Sequence, residues 1–215
     1  MHVGESLEDR SRDHFFAKEG VLSESDPPGD AQDEEARLLE GCRAGDVSAF
    51  ERLYELHGSR MKSVAANLLG NVADAEDAVQ ESFLKIYRGA AAFRGAARLS
   101  TWIYRVLVNT CYDLLRRRRR RPLEVDSEAA SRREPELAAP VSDHPLRLSL
   151  EVCVKDLDPR RRAAFVLFDV EGFTHREVGD MLGVPEGTSR ALLFEARRDL
   201  QRLLARRGVV SGSRA

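Results

Sequence analysis

The fold of this chain is decided by residues 171–198, which read EGFTHREVGDMLGVPEGTSRALLFEARR. Thr174 and Glu177 have the spacing of a capping box, in which two residues satisfy each other's backbone at a helix start. A short apolar stripe follows, and Gly183 ends the helix after about two turns. A longer helix is predicted after a tight turn. Two helices joined in this way are typical of a helix-turn-helix, although an ordinary pair of packed helices has the same spacing.

A helix-turn-helix places the start of its second helix in the major groove of DNA. Arg190 lies near that start, and Arg197 and Arg198 follow further along the same predicted helix. Guanidinium groups at these positions could reach backbone phosphates, which fix the register of a protein on the duplex.

A second basic segment lies on a helix predicted to open at Ser100 or Thr101. It carries Trp102 and Arg105 and ends in the six consecutive arginines 116–121. Arginine forks suit phosphates, and flat aromatic rings can hold unstacked bases. The pattern favours a polyanionic partner, and the alternative is a solvated charge run whose cations complement the helix dipole.

Helical periodicity extends over most of the chain, and no stretch of strand length alternates between apolar and polar residues. We therefore predict an all-α protein of two small helical domains joined by a flexible acidic linker, the second domain containing the helix-turn-helix. The predicted segments are an acidic disordered extension (1–32), a first domain (33–121), the linker (122–146), a second domain (147–206) and a polar tail (207–215).

The charges are sorted along the chain, although the 34 basic and 36 acidic residues nearly cancel. Residues 98–121 carry a net charge of +7, whereas the linker carries −4 and residues 1–40 carry −8. A segregated basic segment of this kind points to a polyanion as partner.

Several classes of protein are excluded. The longest apolar run is residues 163–168, whereas a membrane helix needs about 20 residues. The acidic start resembles no secretory or transit peptide, and Cys42, Cys111 and Cys153 are too dispersed for disulfides or zinc, so a cytoplasmic protein is expected. The acidic cluster 74–77 fits the first turn of a helix. We expect no metal, no cofactor and no catalytic residue.

Two stretches together resemble the bacterial RNA polymerase sigma factors of the extracytoplasmic-function (ECF) group, within the sigma-70 superfamily. One is DAEDAVQESFLKIYR followed by FRGAARLSTWIYRVLVNTCYDLLRRR, within residues 74–118, and the other spans residues 157–204. The resemblance implies an all-helical specificity subunit that binds core polymerase, recognises promoter minus-ten and minus-thirty-five elements and promotes DNA melting, with no catalysis of its own.

The resemblance also implies roles for individual residues. The helix from Asp74 would bind the clamp coiled coil of the largest polymerase subunit through Asp77, Gln80, Glu81, Leu84 and Lys85. The minus-ten element would be bound by Phe93, Arg94, Arg98, Ser100, Thr101, Trp102, Arg105, Asn109, Arg116, Arg117 and Arg118. The minus-thirty-five element would be bound by Thr174, Gly187, Thr188, Arg190, Ala191, Phe194, Arg197 and Arg198.

The implied partners are core polymerase, at its clamp and flap, promoter DNA and an anti-sigma factor, with no membrane insertion of the chain itself. The acidic linker would follow the polymerase channel that later carries RNA. The recognition helix departs from the family pattern, because Leu192, Phe194 and Glu195 stand where Arg, His and Arg are expected and Ser189 replaces an apolar residue. We therefore expect an unusual minus-thirty-five sequence, or weaker dependence on that element.

Two other functions are compatible with parts of this pattern. A stand-alone helix-turn-helix regulator would need a dimer interface and an effector pocket, and would bind its operator tightly without polymerase. An adaptor that binds partner helices, with its arginines on RNA or anionic lipid, would not support promoter-specific transcription.

Overall fold

The computed structural model describes residues 28–93, 98–120 and 145–208. These residues are almost entirely helical and contain no β-strand, which confirms the predicted all-α class. Most of the predicted linker lies outside the described residues. The helices are α1 Pro28–Ala44, α2 Val47–Leu69, α3 Val72–Gly89, α4 Leu99–Arg120, α5 Pro145–Lys155, α6 Pro159–Phe165, α7 His175–Leu182 and α8 Glu186–Arg206, with a 3₁₀ turn at Ala90–Ala92 and a π-helical turn at Val166–Val170.

Helix α2 is a single helix of 23 residues where the apolar periodicity predicts two. Its N-cap is Asp46, whose carboxylate accepts a hydrogen bond from the backbone NH of Ser48 at 3.0 Å, and its C-cap is Gly70 at φ 72°. No residue between these caps stops the helix, and Gly58 at its middle is buried against the Tyr54 ring. The apolar pattern of the sequence indicates one helix with Phe50, Leu53 and Tyr54 on one face and a separate helix from Met61 to Leu69, and this division into two helices is wrong.

The boundaries of the neighbouring helices also differ from prediction. The sequence pattern favours Asp33 as the N-cap of the first helix, but helix α1 begins at Pro28, so Asp33 lies inside the helix and residues 28–32 are helical instead of belonging to the predicted disordered extension. A proline is well suited to the first turn, because its φ is already helical and its missing NH has no intrahelical partner there. Helix α3 starts two residues before Asp74, with Asn71 as its N-cap.

The first domain, α1 to α4, encloses a core formed mainly by α2, α3 and α4. Its fully buried side chains include Leu53, Met61, Val64, Val79, Ile86, Ile103 and Leu107. This packing holds α3 and α4 side by side, so their outer faces form one continuous surface of the domain.

The second domain, α5 to α8, follows its local sequence signals closely. Asp158 caps α6 with Pro159 at the first helical position, and Thr174 with Glu177 forms the predicted capping box at α7. Gly183 ends α7 in the left-handed region at φ 67°, which a side-chain-free residue adopts without strain. The predicted helix-turn-helix is therefore present as α7 and α8.

All three cysteines are buried and free. Burial raises the pKa of the Cys111 thiol to about 12, so this thiol stays protonated and unreactive near neutral pH. Within the described ranges, no helix has both the length and the apolar content needed to cross a membrane.

Candidate nucleic-acid interface

The exposed side of the helix-turn-helix holds every residue assigned to the minus-thirty-five element. The eight residues are all exposed: Thr174, Gly187, Thr188, Arg190, Ala191, Phe194, Arg197 and Arg198. The opposite side of α8 is buried through Leu193, Ala196 and Leu200, which pack into the core. This division leaves the first turns of α8 open to a ligand as wide as a DNA groove.

Most arginines on this surface already have a carboxylate partner. Arg190 pairs with Glu186 one turn earlier at 2.5 Å. Arg197 grips Asp169 with two N–H groups, from Nε to Oδ2 at 2.9 Å and from Nη2 to Oδ1 at 2.5 Å, and this hydrogen bonding raises the pKa of Arg197. The protein therefore neutralises part of the positive charge on its candidate DNA surface.

The departures from the family pattern occupy different environments on α8. Phe194 is 69% exposed, whereas Leu192 is partly buried against the core. Glu195 is exposed and pairs with Arg161 at 2.9 Å. Ser189 is fully buried and lies 3.2 Å from His175 Nδ1. Only Phe194 therefore adds an apolar group to the exposed face.

The turn between α7 and α8 depends on a close backbone approach at Gly179. A Cβ atom at this position would lie 2.8 Å from the carbonyl oxygen of Val184 and 3.4 Å from the Glu186 nitrogen. Glycine is therefore required where α7 passes the start of α8, and this requirement sets the relative placement of the two helices.

In the first domain, Phe93 and Trp102 form a stacked pair beside the start of α4. Their ring centroids are 4.7 Å apart with an interplanar angle of 24°. Arg43 donates a hydrogen bond to the carbonyl of Phe93, and Gly89 leaves room for the indole, because a Cβ there would lie 3.3 Å from Trp102 Cζ2. Two other elements, α1 and the end of α3, thus position one aromatic pair.

The other residues assigned to the minus-ten element differ in accessibility. Arg98, Arg105 and Asn109 are exposed, and Ser100 is half-buried. Thr101 is only 3% exposed, so in this arrangement it presents almost no surface to a ligand. Arg94 lies outside the described residues.

The arginine run at the end of α4 is joined to the acidic first part of α3. Arg116 pairs with Asp113 on its own helix. Arg117 lies 3.8 Å from Glu81, and Arg118 pairs with Asp74. The acidic start of α3 therefore lies next to the cations, and the run continues as exposed side chains at Arg119 and Arg120.

The residues assigned to polymerase binding lie on two sides of α3. Asp77, Gln80 and Leu84 face solvent, with Leu84 55% exposed. Glu81 and Lys85 are half-buried and pair with each other at 2.9 Å. Lys85 also donates to Thr110 Oγ1 on α4 at 3.0 Å. The structure thus brings three of the five residues onto one outer face.

Beside this face lies an apolar surface, which we call the aromatic patch, formed by Phe50, Tyr54, Phe83, Leu84 and Tyr87. Phe50 pairs with Tyr87 at 4.6 Å between ring centroids, and Tyr54 pairs with Phe83 at 4.9 Å. Tyr54 and Tyr87 are each about half exposed, at 47% and 54%. Periodicity places Phe50 and Tyr54 on the core side of a helix together with Leu53, and only Leu53 is fully buried.

Comparison with known proteins assigns both halves of the chain. The family model of Sigma-70 region 2 matches residues 53–121, and that of Sigma-70, region 4 matches residues 147–200. The chain is 34% identical over 174 residues to the ECF RNA polymerase sigma factor SigM of Mycobacterium tuberculosis, covering 79% of this chain and 84% of SigM. This chain belongs to the ECF sigma factors.

Two further matches agree with this assignment. The RNA polymerase sigma-H factor of Pseudomonas aeruginosa is 30% identical, with 80% of this chain and 95% of that protein covered. The sigma factor RpoE of Bartonella quintana, solved in complex with the anti-sigma factor NepR, superposes with a TM-score of 0.60 at 26% identity, covering 74% of this chain and 98% of RpoE. This ECF sigma factor acts in promoter recognition during transcription initiation.

Several residues that shape this ECF sigma factor's surfaces were not found from the sequence. Gly179 could have been predicted, because a glycine inside the first helix of a helix-turn-helix indicates a place where the turn packs closely against that helix. Arg43 could not, since its contact with Phe93 joins residues 50 positions apart. The signal for Tyr54 and Tyr87 is that their helices carry more large apolar residues than one buried face can hold, so that some of them must be exposed.

Proposed function

We propose that this ECF sigma factor is a specificity subunit that catalyses no reaction and lends core polymerase three binding surfaces. The aromatic patch and the outer face of α3 would bind the clamp coiled coil, the region around Phe93 and Trp102 would capture the minus-ten element, and α8 would read the minus-thirty-five element, with the second domain near the flap. The observation that carries this proposal is the exposure of all eight residues assigned to the α8 DNA face.

The proposal for polymerase binding rests on the apolar character of the α3 face. Leu84 and Tyr87 are each more than half exposed. Because removal of apolar side chains from water is favourable, a partner that covers them gains binding free energy. A patch of this kind, with Asp77 and Gln80 beside it, suits a partner helix whose surface offers both apolar and polar groups.

The test is binding of purified core polymerase to the full chain with Leu84→Asp. We expect at least a tenfold loss of affinity, because the carboxylate would be buried without a partner. Val152→Asp is the matched control, since Val152 is an exposed apolar residue of α5, 43% exposed, outside the patch. Equal binding by both variants would contradict the assignment of this face.

For the minus-ten element we propose that Phe93, Trp102 and the exposed polar side chains of α4 hold the nontemplate strand. A base displaced from the duplex could stack on the aromatic pair, which offsets the cost of unstacking. Recognition and melting would then be one event. Arg116, Arg117 and Arg118 lie further along α4, where they could exchange their carboxylate partners for phosphates.

The test separates base capture from other functions of Trp102. With core polymerase, Trp102→Ala should reduce permanganate reactivity of promoter thymines about tenfold or more, since stacking of one base contributes about 1–3 kcal/mol. Trp102→Phe should recover part of the signal. On a promoter with a preformed bubble the defect should become small, and a defect of unchanged size there would argue against a function in melting.

For the minus-thirty-five element we propose that Phe194 and Ala191 contact thymine methyl groups in the major groove, while Arg198 binds a phosphate. Apolar contact with the thymine methyl is one of the few ways that an apolar side chain reads sequence. The 69% exposure of Phe194 supports such a contact, because this ring has no protein core to fill.

The test uses deoxyuridine in place of thymine, which removes only the methyl group. Uracil in the minus-thirty-five element should weaken holoenzyme binding several-fold for the native chain and have little effect on Phe194→Ala. A footprint over an ordinary element, with uracil tolerated by both proteins, would overturn the proposal.

We further propose that an anti-sigma factor binds this chain, as one binds RpoE of Bartonella quintana in the solved complex. We also propose a cytoplasmic location, where core polymerase is found, and a path for the acidic linker along the polymerase channel that later carries RNA. Replacing the acidic residues of the linker by their amides, which keeps its length, should leave binding to core polymerase intact and reduce initiation of short transcripts, measured by abortive synthesis.

A further inference from the structure

A buried hydroxyl joins the two helices of the helix-turn-helix. Ser189 on α8 is fully buried, and its Oγ atom lies 3.2 Å from Nδ1 of His175, the first residue of α7. The family pattern has an apolar residue at position 189, so this chain places a polar group where none is expected. A buried hydroxyl lowers stability unless its hydrogen bond is made. The contact with His175 is therefore what makes a serine acceptable here.

This contact determines which nitrogen of the His175 ring carries the proton. A serine hydroxyl has one hydrogen to donate, and a neutral imidazole has one bare nitrogen that can accept it. Within the part of the chain that the structure describes, Nδ1 of His175 is the hydrogen-bond partner of Ser189 Oγ, and no second acceptor is in reach. A proton on Nδ1 would leave the hydroxyl hydrogen buried without an acceptor, which is unfavourable. Ser189 therefore donates to Nδ1, and Nε2 carries the ring proton.

An aromatic neighbour holds the same ring in place. His175 stacks on Phe168, with 4.1 Å between the ring centroids and an interplanar angle of 23°. Phe168 belongs to the π-helical turn Val166–Val170 and packs against the core. Because the imidazole is fixed by a stack on one element and by a hydrogen bond to another, the direction of its Nε2–H bond is set before any ligand binds.

The Nε2–H group is available to a ligand, unlike the charged groups around it. His175 is half-buried, and among the described residues none forms a hydrogen bond with its Nε2 atom. Arg190 pairs with Glu186, and Arg197 pairs with Asp169. Each arginine must exchange or share a carboxylate before it binds a phosphate, whereas Nε2–H requires no such exchange.

The surroundings of His175 also keep its ring neutral. Burial lowers the pKa of His175, and the nearby charges of Arg190 and Arg197 lower it further, although two carboxylates oppose them. Protonation would also place a hydrogen on Nδ1 and leave the Ser189 hydroxyl without its acceptor. The imidazole is therefore a donor that brings no positive charge to the surface.

The location of His175 suits the backbone of duplex DNA. In a helix-turn-helix the first helix crosses the DNA backbone while the second enters the major groove. His175 opens the first helix, directly after Thr174, and its partner Ser189 lies between Thr188 and Arg190 of the candidate DNA face. Phosphate oxygens accept hydrogen bonds from uncharged side chains as well as from Arg and Lys.

We propose that His175 binds a backbone phosphate of the minus-thirty-five element through Nε2–H, and that Ser189 is the positioning residue that holds this donor in its tautomer. The ligand is a single phosphate of duplex DNA. The phosphate contact rests on the proposed function, whereas the tautomer of His175 in the free chain does not.

The tautomer is measured in the free full-length chain by nitrogen-15 NMR, because the protonated and bare nitrogens of a neutral imidazole differ widely in chemical shift. The His175 signals are assigned from their absence in His175→Phe. At pH 7.5 we expect the proton on Nε2 in the native chain and a mixture of tautomers in Ser189→Ala. A proton on Nδ1 in the native chain, or an unchanged spectrum in Ser189→Ala, would overturn the positioning by Ser189.

Ser82→Ala is the matched control for the loss of a buried hydroxyl. Ser82 is also fully buried, but its hydroxyl donates to the Ala78 carbonyl of its own helix at 2.6 Å. This variant should leave the His175 signals unchanged. A change equal to that of Ser189→Ala would show that the tautomer responds to loss of stability in general, which would also overturn the positioning.

The phosphate contact is tested with holoenzyme, formed from core polymerase and the full chain, on duplex promoter probes. Each probe carries one methylphosphonate, which replaces a charged oxygen by a methyl group, at one backbone position of the minus-thirty-five element. We expect one position at which this change weakens native holoenzyme about tenfold, the scale of one hydrogen bond to a charged group. A double variant, His175→Phe with Ser189→Ala, should bind modified and unmodified probes nearly equally at that position.

The double variant is chosen because it should fold. It keeps an aromatic ring on Phe168, and it removes both polar partners of the buried hydrogen bond together, which leaves neither one unsatisfied. Circular dichroism checks the fold. Sensitivity to methylphosphonate that is the same in the native chain and the folded double variant at every position would overturn the contact.

Salt dependence separates a neutral donor from an arginine contact. The double variant should bind unmodified promoter more weakly with an unchanged slope of log affinity against log salt, whereas Arg198→Gln should lower that slope by about 0.9. A lower slope in the double variant would overturn the neutral state of His175. If native holoenzyme tolerated every methylphosphonate and Arg198→Gln kept the full slope, the proposed reading of the minus-thirty-five element would fail, while the tautomer in the free chain would still support the pairing of Ser189 with His175.

Discussion

The helix-turn-helix of the second domain and the aromatic pair of the first domain are positioned by different kinds of contact. The helix-turn-helix depends on neighbours in sequence, with the Thr174–Glu177 capping box at its start and Gly179 and Gly183 at its turn. The Phe93–Trp102 pair depends on Arg43 from α1 and on Gly89 at the end of α3. One surface is therefore set by a short segment, and the other by the packing of the whole domain.

This difference has a consequence for how each surface can fail. A local motif should be lost through a single backbone clash, while the rest of the domain keeps its core. A surface assembled from distant contacts should lose its order in small steps as single contacts are removed, because each contact contributes only a small part of the free energy that stabilises the surface.

The largest effect is expected from Gly179→Ala. The new Cβ would lie 2.8 Å from the Val184 carbonyl, closer than real Cβ contacts allow, and both neighbours are backbone. We expect a loss of about 1–3 kcal/mol in the free energy of unfolding, measured by urea denaturation, together with loss of minus-thirty-five recognition by the holoenzyme.

Gly187→Ala is the matched control for stability. Gly187 also lies in a helix, and nothing lies within 4 Å of a Cβ placed there. This variant should gain up to about 1 kcal/mol from helix propensity. If the two alanine variants had the same stability, the close approach at Gly179 would not be what holds the turn.

The extent of prediction from the sequence follows the same division. The start and the end of α7 were predicted to the residue, because the capping box of Thr174 with Glu177 and the glycine at Gly183 are signals that act within a few positions. The burial of Thr101 and the pairing of Glu81 and Lys85 with α4 were not, since they depend on how α3 and α4 pack. Arg60 and Glu171 form an ion pair at 2.8 Å although they are 111 positions apart. No local pattern in the sequence predicts such a contact.

A smaller effect is expected from Arg43→Ala, which tests the long-range support of the aromatic pair. Hydrogen bonds from charged donors contribute about 1.5–3 kcal/mol to stability. Loss of the bond from Arg43 to the Phe93 carbonyl should lower the free energy of unfolding by about 1.5 kcal/mol, the lower end of this range. Trp102 is the single tryptophan of the chain, so its fluorescence reports this site alone. We expect a red shift of the emission as the stack loosens.

Arg37→Ala is the control for this experiment, because Arg37 is an exposed arginine on the same helix. Its emission should match that of the native protein. An unshifted spectrum for Arg43→Ala would mean that Gly89 and the Phe93 ring hold the indole without help from α1.

A still smaller effect is expected on the salt dependence of DNA affinity. This measurement compares the charge of the two DNA surfaces. Each phosphate contact on single-stranded DNA contributes about 0.7 to the slope of log affinity against log salt. Replacing both Arg119 and Arg120 by Gln should therefore lower the slope by about 1.4 for holoenzyme on a single-stranded minus-ten probe. Arg202→Gln with Arg206→Gln, at the far end of α8, should leave it unchanged; an equal decrease there would indicate a nonspecific charge effect.

The last prediction concerns pH and again compares one residue from each domain. Burial lowers the pKa of His57 in α2, with the nearby Arg60 as a further cause, and burial together with Arg190 lowers the pKa of His175 in α7. Below the ordinary histidine pKa of about 6.5, the unfolded chain then binds more protons than the folded one. The free energy of unfolding should therefore fall as pH decreases through this value and towards the lower folded-state pKa values.

Urea denaturation at pH 7.5 and 5.5 measures the fall, and His57→Gln and His175→Gln, made separately, assign its share to each domain. If both variants retain the full pH dependence, groups other than these two histidines must carry it, and the burial of His57 beside Arg60 would have no effect on stability in this range.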